Sequence, residues 1–223
     1  MKTCVVVPTY NESGAIGSVL AQIKKQGLDV VVVDDGSQDN TVAIAERCGA
    51  VVLRSDRNEG KGASLVKGFR YCLSKDFDAV ITMDGDGQHV PQDIAQFLRQ
   101  ARVSGAGIFI GTRMSKTKHM PPLRFLTNRF MSWFISQVTG QYIPDTQCGF
   151  RLIRRQVLEK FVLKSRKYEI ESEMLIQAAR LGAQIESVPI ETVYSGQKSQ
   201  INPCIDTWRF IRFIFRELWN TQP

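Results

Sequence analysis

The strongest chemical signal in the sequence is the segment MDGDGQH at residues 83–89. Two carboxylates stand two residues apart and a neutral oxygen donor follows, which is a set of hard ligands that suits Mg²⁺ or Mn²⁺. The same letters also fit a simple turn, but an apolar run precedes them and Pro91 opens a helical pattern after them. We therefore expect Asp84, Asp86 and Gln88 to bind a divalent cation, with phosphate oxygens completing its coordination.

Two further polar clusters stand where apolar runs end, PTYNE at residues 8–12 and DDGS at residues 34–37. If the runs are parallel strands, these clusters open onto the same edge of a sheet as the two aspartates. Tyr10 offers a ring on which a base can stack, and Asp35 can accept from a base N–H or a ribose hydroxyl. The alternative for residues 34–37 is an ordinary strand-to-helix turn.

The glycine-containing segments do not match the common phosphate-binding motifs. Residues 58–62 (NEGKG) lack the spacing of a P-loop. Gly85 and Gly87 lack the third glycine of the dinucleotide motif, and the aspartates beside them would repel a pyrophosphate unless a metal intervened. A metal-bridged diphosphate is the consistent interpretation. Lys61 is expected either to neutralise that diphosphate further or to lie in solvent.

The elements that must position these residues follow an alternating pattern. Apolar runs of this length, without period-two alternation, indicate strands buried on both faces of a mostly parallel sheet. We expect one α/β domain over residues 1–223, doubly wound with helices on both faces, divided into a nucleotide-binding half (1–112) and an acceptor-binding half (113–223). Predicted strands are 4–8, 29–35, 50–55, 78–84, 107–112, 148–155 and 183–191, and predicted helices are 13–26, 39–48, 60–74, 91–103, 123–140, 169–182 and 205–220.

Composition and charge narrow the class of protein. The 223 residues are 43% hydrophobic and 23% charged, which excludes a disordered or fibrous chain. Five scattered cysteines argue against a disulfide framework and for a reducing compartment. Residues 113–223 carry 17 Lys and Arg against 9 Asp and Glu, whereas residues 1–112 carry 12 against 13. The excess of positive charge in residues 113–223 predicts an anionic partner. We do not expect that partner to be nucleic acid, because the acidic strand ends would repel a phosphate backbone.

In this order and spacing, PTYNE, VDDGS, NEGKG, DGDGQH and GTR resemble the family-two inverting glycosyltransferases of GT-A fold. The resemblance is closest to the dolichol- or polyprenyl-phosphate mannose synthases, and it continues through residues 145–155, Glu171 and Glu173, and residues 199–202. It implies transfer of a sugar from a nucleotide-sugar, GDP-mannose or a UDP-sugar, to a polyprenyl phosphate.

The resemblance also implies roles for individual residues. It assigns the nucleoside to Pro8, Tyr10, Glu12 and Asp35, the metal to Asp84, Asp86 and Gln88, with Lys61 beside the diphosphate, and the acceptor phosphate to Arg113, Arg129 and Lys198. Asp86 and Arg113 are the residues expected to matter most directly for catalysis.

An acceptor of this kind would explain the excess of Lys and Arg in residues 113–223. A phosphate monoester is already an anion near neutral pH, so it needs cations to place it more than it needs a general base. Arginine suits this task through its bidentate fork. A hydroxyl acceptor would instead require a base, for which Glu171, Glu173 and Asp145 are candidates. A third interpretation of the function is a non-catalytic module that binds a nucleotide or an anionic lipid.

Two amphipathic stretches bear on the location of the protein. Residues 205–219 combine aromatic residues at helical spacing with an arginine stripe, which is typical of a helix at an anionic membrane surface. Residues 123–138 suit a groove for a prenyl chain, although packing on the sheet or at a dimer interface explains either stretch equally well. No run approaches the roughly 20 apolar residues of a membrane span. We expect a cytoplasmic protein, peripheral at the inner membrane face, with a separate membrane subunit as a further possible partner.

Overall fold

The computed structural model describes residues 1–114 and 122–193 together with residue 212, and side chains are described for all of these except residues 122–124. Seven strands form one sheet. They are β1 (Thr3–Thr9), β2 (Asp29–Asp34), β3 (Val51–Arg54), β4 (Ala79–Thr82), β5 (Ile108–Thr112), β6 (Arg151–Arg154) and β7 (Ile185–Pro189). Each corresponds to a strand predicted from an apolar run, with bounds that differ from the predicted ones by no more than three residues.

The helices follow the predicted alternation. They are α1 (Ile16–Lys24), α2 (Thr41–Arg47), α3 (Lys61–Ser74), α4 (Ile94–Val103), α5 (Pro122–Thr139), α6 (Arg155–Leu158) and α7 (Ile170–Arg180), with a 3-10 turn over Pro91–Asp93 before α4. The four-residue α6 was not predicted, because one turn of helix is too short to show a period. The helix predicted over residues 205–220 lies outside the described residues apart from Arg212.

The strand order is β3-β2-β1-β4-β6-β5-β7. β1 runs parallel to β2 and β4, β2 is parallel to β3, and β5 is parallel to β7. β6 is antiparallel to both of its neighbours, β4 and β5. The carboxyl ends of β1, β2 and β4 therefore meet at one edge. The residues that lead into β6 reach the same edge, because Arg151 pairs with Thr82 at the end of β4.

The sheet is covered on both sides, as the uninterrupted apolar runs predicted. Val6 on β1 faces α3, where a Cβ added to Gly68 would lie 2.5 Å from its Cγ1. Val7 points to the other face, where it lies close to Ile16 of α1 near Gly85. Because neighbouring residues of a strand point to opposite faces, α1 and α3 cover opposite sides of the sheet. This confirms the doubly wound α/β architecture.

Among the described helices, none combines the length and the apolar character that crossing a membrane requires.

Candidate active site

The loop after β4 places Asp84 between two basic side chains. Its Oδ1 lies 2.6 Å from Nζ of Lys61, and its Oδ2 lies 3.6 Å from Nε2 of His89. Burial opposes ionisation of this carboxyl, but Lys61 and then His89 outweigh burial and hold the pKa of Asp84 far below its usual range. Asp84 is therefore a permanent anion at the carboxyl edge of the sheet.

Asp86 stands in a different environment from Asp84. Its Oδ1 accepts a hydrogen bond from the backbone N–H of Gln88, at 2.9 Å. Burial, and after it the charge of Asp84, raises the pKa of Asp86. Two carboxylates that repel each other in this way are stabilised when a cation lies between them.

Glu12 joins the same cluster from the end of β1. Burial, followed by the charges of Asp86, Asp84 and Asp39, raises the pKa of Glu12 to about 7. The two strand ends also touch, because a Cβ added to Gly85 would lie 2.7 Å from Cγ2 of Thr9 at the end of β1. The expected convergence of PTYNE and DGDG at one edge is what the structure shows.

The oxygen ligands on this loop suit a metal ion whose coordination is completed by a substrate. Within the described ranges, no group of three or more His, Cys, Asp or Glu side chains is arranged to bind a metal. The protein would thus supply Asp84 and Asp86, with the Gln88 amide as the predicted third ligand. Mg²⁺ is typically bound by one or two carboxylates with substrate phosphates and water completing its shell. A metal-bridged diphosphate matches that pattern, and ligation by Gln88 stays a prediction.

His89 and its neighbours brace the loop that carries the aspartates. The imidazole is 5% exposed and its ring centroid lies 5.3 Å from that of Phe150. The backbone N–H of Val193 donates to the Gln88 carbonyl at 3.0 Å. Thr82, the last residue of β4, donates through its hydroxyl to the carbonyl of Gly149 at 2.7 Å. The loop is thus held by the segment before β6 and by the chain after β7.

Lys61 is not in solvent, which removes one of the two alternatives left by the sequence. Its Nζ lies between Asp84 Oδ1, at 2.6 Å, and Glu171 Oε1, at 2.9 Å. Burial opposes the charged form of the lysine, but Asp84 and Glu171 together raise the pKa of Lys61. A cation is therefore built into the site at the first residue of α3.

Asp35 makes contacts that the sequence did not predict. Its two carboxylate oxygens accept the backbone N–H groups of Glu59 and Gly60, each at 2.8 Å. These bonds hold the NEGKG loop, in which Gly60 has a φ of +100° and a Cβ would lie 2.5 Å from the carbonyl oxygen of Arg166. The proposed contact of Asp35 with a nucleoside stays a prediction, and it would have to be made in addition to these two bonds.

The loop that carries Tyr10 and Glu12 is bound to the chain after β2. Asn11, with a φ of +56°, donates its backbone N–H to Ser37 Oγ at 2.8 Å, and the N–H of Glu12 donates to Thr41 Oγ1 at 2.8 Å. Tyr10 is half-buried, as is Pro8 at the end of β1. The predicted nucleoside residues are thus brought to neighbouring strand ends.

Arg113 at the end of β5 forms a buried pair with Asp145. Its Nε donates to Asp145 Oδ2 at 2.7 Å and its Nη2 donates to Oδ1 at 2.8 Å. Arg113 is 6% exposed and Asp145 is fully buried. Burial opposes the ionised carboxyl, but Arg113 lowers the pKa of Asp145. One edge of the guanidinium is therefore used by Asp145, and contact of Arg113 with an acceptor phosphate stays a prediction.

The two glutamates of α7 point to different partners. Glu171 contacts Lys61 and places Oε2 2.8 Å from Nη2 of Arg151. Glu173 accepts the backbone N–H groups of Lys164 and Ser165, at 2.9 and 2.8 Å. All three candidate bases for a hydroxyl acceptor, these two and Asp145, are thus engaged by cations or amide groups.

The remaining predicted acceptor residues are less constrained by the structure. Arg129 is exposed on α5, and Lys198 lies outside the described residues. Along α5 the predicted apolar stretch divides into two groups. Leu126, Phe130 and Trp133 are 64%, 52% and 58% exposed, whereas Phe134 and Val138 pack partly against the core. The proposed prenyl groove stays a prediction.

Reasoning from the sequence missed two residues that shape the site. Arg151 is fully buried in β6, and its charge inside an apolar strand was the available signal. A Cβ added to Gly149 would lie 2.8 Å from Lys61 Nζ and 2.9 Å from Asp84 Oδ2. Only a glycine leaves room for these two side chains to meet there.

Known proteins are similar to this chain in sequence. An undecaprenyl-phosphate mannosyltransferase of Micrococcus luteus is 30% identical over 206 residues, which cover 86% of this chain and 84% of that protein. A UDP-N-acetylglucosamine–dolichyl-phosphate N-acetylglucosaminyltransferase of Methanococcus voltae is 28% identical over 214 residues, 86% and 85% of the two chains.

The fold also matches a solved structure, glucosyl-3-phosphoglycerate synthase from Mycobacterium tuberculosis in complex with Mn²⁺, UDP and phosphoglyceric acid. The TM-score is 0.71 at 20% identity, covering 98% of this chain and 77% of that one, which confirms the expected GT-A type fold. The profile of glycosyl transferase family 2 matches residues 4–162, which is most of the chain. With the strand-end carboxylates and the sheet in agreement, the chain belongs to glycosyl transferase family 2.

Proposed function

We propose that this glycosyltransferase transfers a sugar, with inversion, from a nucleotide-sugar to a polyprenyl phosphate and uses Mg²⁺ or Mn²⁺ to do so. The observation that carries the proposal is that the loops bearing Glu12, Asp84 and Asp86 follow two parallel neighbouring strands at one sheet edge, beside the ammonium of Lys61. This edge is where an α/β sheet binds its ligands. The lipid-phosphate relatives named above support the choice of acceptor.

The donor side of the proposal rests on charge. A divalent cation on Asp84 and Asp86, with the Gln88 amide, would act as a Lewis acid on the departing diphosphate. Lys61 adds a positive charge to the same side of the site. Pro8, Tyr10, Glu12 and Asp35 would contact the nucleoside. The two relatives transfer different sugars, as their names state, so the proposal covers GDP-mannose and UDP-sugars alike.

The acceptor side rests on the lack of an unengaged base among the candidates. Asp145 is paired with Arg113, Glu171 with Lys61 and Arg151, and Glu173 with backbone N–H groups. A phosphate monoester needs no base, because its oxygen is already an anionic nucleophile. Arg113, Arg129 and Lys198 would bind it and set the attacking oxygen against the anomeric carbon, opposite the leaving group.

A lipid acceptor requires the enzyme to work at a membrane. The excess of Lys and Arg in residues 113–223 and the exposed apolar side chains of α5 suit peripheral contact with an anionic cytoplasmic surface. A separate membrane subunit that presents the lipid belongs to the same proposal.

The test is a transfer assay with radiolabelled GDP-mannose, UDP-N-acetylglucosamine and UDP-glucose, each offered with polyprenyl phosphate or with an oligosaccharide in Mn²⁺ buffer. We expect label from one donor in the lipid phase, only with polyprenyl phosphate and not after EDTA treatment. Transfer to the oligosaccharide alone would establish the hydroxyl-acceptor alternative. Binding of nucleotide without transfer to either acceptor would establish a non-catalytic module.

A further inference from the structure

Four side chains of alternating charge form a continuous row that ends at the metal-binding loop. Arg151 Nη2 lies 2.8 Å from Glu171 Oε2, Glu171 Oε1 lies 2.9 Å from Lys61 Nζ, and Lys61 Nζ lies 2.6 Å from Asp84 Oδ1. Exposure of the side chains rises along the row, from 0% at Arg151 through 4% and 15% to 28% at Asp84. One end of the row is therefore sealed in the core and the other opens onto the site.

The sealed end of the row is held by several hydrogen bonds in addition to the ion pair. Arg151 also donates to the carbonyl oxygens of Cys148 and Thr146, each at 2.9 Å, and to that of Glu171 at 2.6 Å. Separating a buried pair leaves an uncompensated charge in the core, which is strongly unfavourable. The guanidinium thus fixes the Glu171 carboxylate on α7. Lys61, with a flexible four-carbon stem, is the first member of the row that can move.

Lys61 holds an oxygen that a metal would need. A carboxylate oxygen bound to Mg²⁺ lies about 2.0–2.1 Å from the ion. The ammonium, 2.6 Å from Asp84 Oδ1, is a positive charge that competes electrostatically with an ion for that oxygen. Glu171 offers Lys61 a second anion 2.9 Å away, where the lysine can remain when Asp84 is taken.

We propose that Lys61 is an exchangeable counter-ion of Asp84, which it neutralises until a divalent cation takes its place, and that Glu171, fixed by Arg151, then retains the lysine beside the site. Glu171 and Arg151 are positioning residues in this scheme. Once released from Asp84, the Lys61 ammonium still has N–H groups that can donate to an oxygen of the leaving diphosphate. The inference rests on the proposed function for its use of a metal and deepens it by naming the step that admits the ion.

The test measures Mn²⁺ binding to the full chain without nucleotide, by the electron paramagnetic resonance signal of free Mn²⁺. Lys61→Met removes the competitor, so the Mn²⁺ dissociation constant should fall about tenfold. Glu171→Gln removes the second anchor and commits Lys61 to Asp84, so Mn²⁺ should bind several-fold more weakly. The double variant should bind as tightly as Lys61→Met, because Glu171 acts on the metal only through Lys61.

The double variant separates exchange from simple electrostatics. If charges act only at a distance, the two effects add, and the double variant binds Mn²⁺ less tightly than Lys61→Met. That result, or an unchanged dissociation constant in Lys61→Met, overturns the proposal. So does a lack of Mn²⁺ binding in both the wild type and Lys61→Met. If Glu171→Gln does not fold, Glu171→Asp retains the charge, shortens the reach to Lys61 and should weaken Mn²⁺ binding in the same direction.

Glu173→Gln is the matched control. Glu173 lies in the same turn of α7 and is as buried as Glu171, but its carboxylate accepts backbone N–H groups of Lys164 and Ser165. Its Mn²⁺ dissociation constant should stay within about twofold of the wild type, since it does not contact Lys61. The transfer assay is scored separately. Non-additive Mn²⁺ binding without lipid transfer overturns the proposed acceptor alone, and lipid transfer with additive binding overturns the exchange alone.

Discussion

Glu12 gives the site a pH dependence whose sign follows from its surroundings. Burial and the charges of Asp86, Asp84 and Asp39 raise the pKa of Glu12 to about 7, whereas an unperturbed glutamate titrates near pH 4.3. Between these values the folded protein keeps a proton that the unfolded chain has released. The contribution of Glu12 to the free energy of unfolding is therefore largest below about pH 4.3. This contribution is lost as pH rises through 7.

The expected size of the effect is modest. A shift of this size would correspond to roughly 3–4 kcal/mol for a group shielded from water. Glu12 is partly exposed, so solvent screening reduces the contribution to about 1 kcal/mol. For a chain of this length, that is a fall in Tm of about 2–4 °C between pH 5 and pH 8.

The assay compares thermal unfolding of the wild type and Glu12→Gln across that pH range, first in EDTA and then in Mn²⁺. In EDTA, the Tm of the wild type should fall relative to that of Glu12→Gln as pH rises, because only the wild type carries the titrating carboxyl. Mn²⁺ should flatten this difference, because a cation on Asp84 and Asp86 offsets their repulsion of Glu12. Glu46→Gln, at an exposed position of α2, is the control and should run parallel to the wild type. Parallel curves for Glu12→Gln, or a steeper difference in Mn²⁺, would refute the reasoning.

Three further outcomes test other parts of the site. Asp86→Asn should reduce sugar transfer at least about a hundredfold at saturating Mn²⁺ with Tm unchanged or raised, since it removes a repelled carboxylate; full activity in the transfer assay would contradict the metal assignment. Asp145→Asn should lower the free energy of unfolding by about 3 kcal/mol, measured in urea, because it removes the buried carboxylate charge to which the Arg113 guanidinium donates two hydrogen bonds, and Arg113→Met added to it should recover part of the loss. Gly149→Ala should weaken Mn²⁺ binding or transfer at least about tenfold, because its Cβ would press on Lys61 and Asp84, whereas Gly105→Ala, with no atom within 4 Å of the added Cβ, should be neutral.

Much of the fold could be predicted from the sequence because burial on two faces leaves a local pattern. The run VVV before Pro8 and the run VVVV before Asp34 are fully buried strand interiors. Their apolar sequence predicts strands without any information about the neighbouring strands of the sheet. The meeting of Glu12 with Asp84 and Asp86 followed from the same reasoning, since parallel strands end at a common edge. What local pattern cannot encode is strand direction, so the antiparallel insertion of β6 between β4 and β5 appeared only in the structure.

That insertion decides the chemistry at the edge of the sheet. It carries Gly149 to Asp84 and buries Arg151 behind Glu171, so that a glutamate 110 positions along the chain from Lys61 holds the lysine in place. Asp35 was predicted to contact a ligand and turns out to bind the backbone of the NEGKG loop as well. The sequence alone determined which residue types reach the edge of the sheet, because strand period and polarity are local properties. Only the tertiary structure decided which charges neutralise one another there, because ion pairs between distant segments depend on how the chain returns to the sheet.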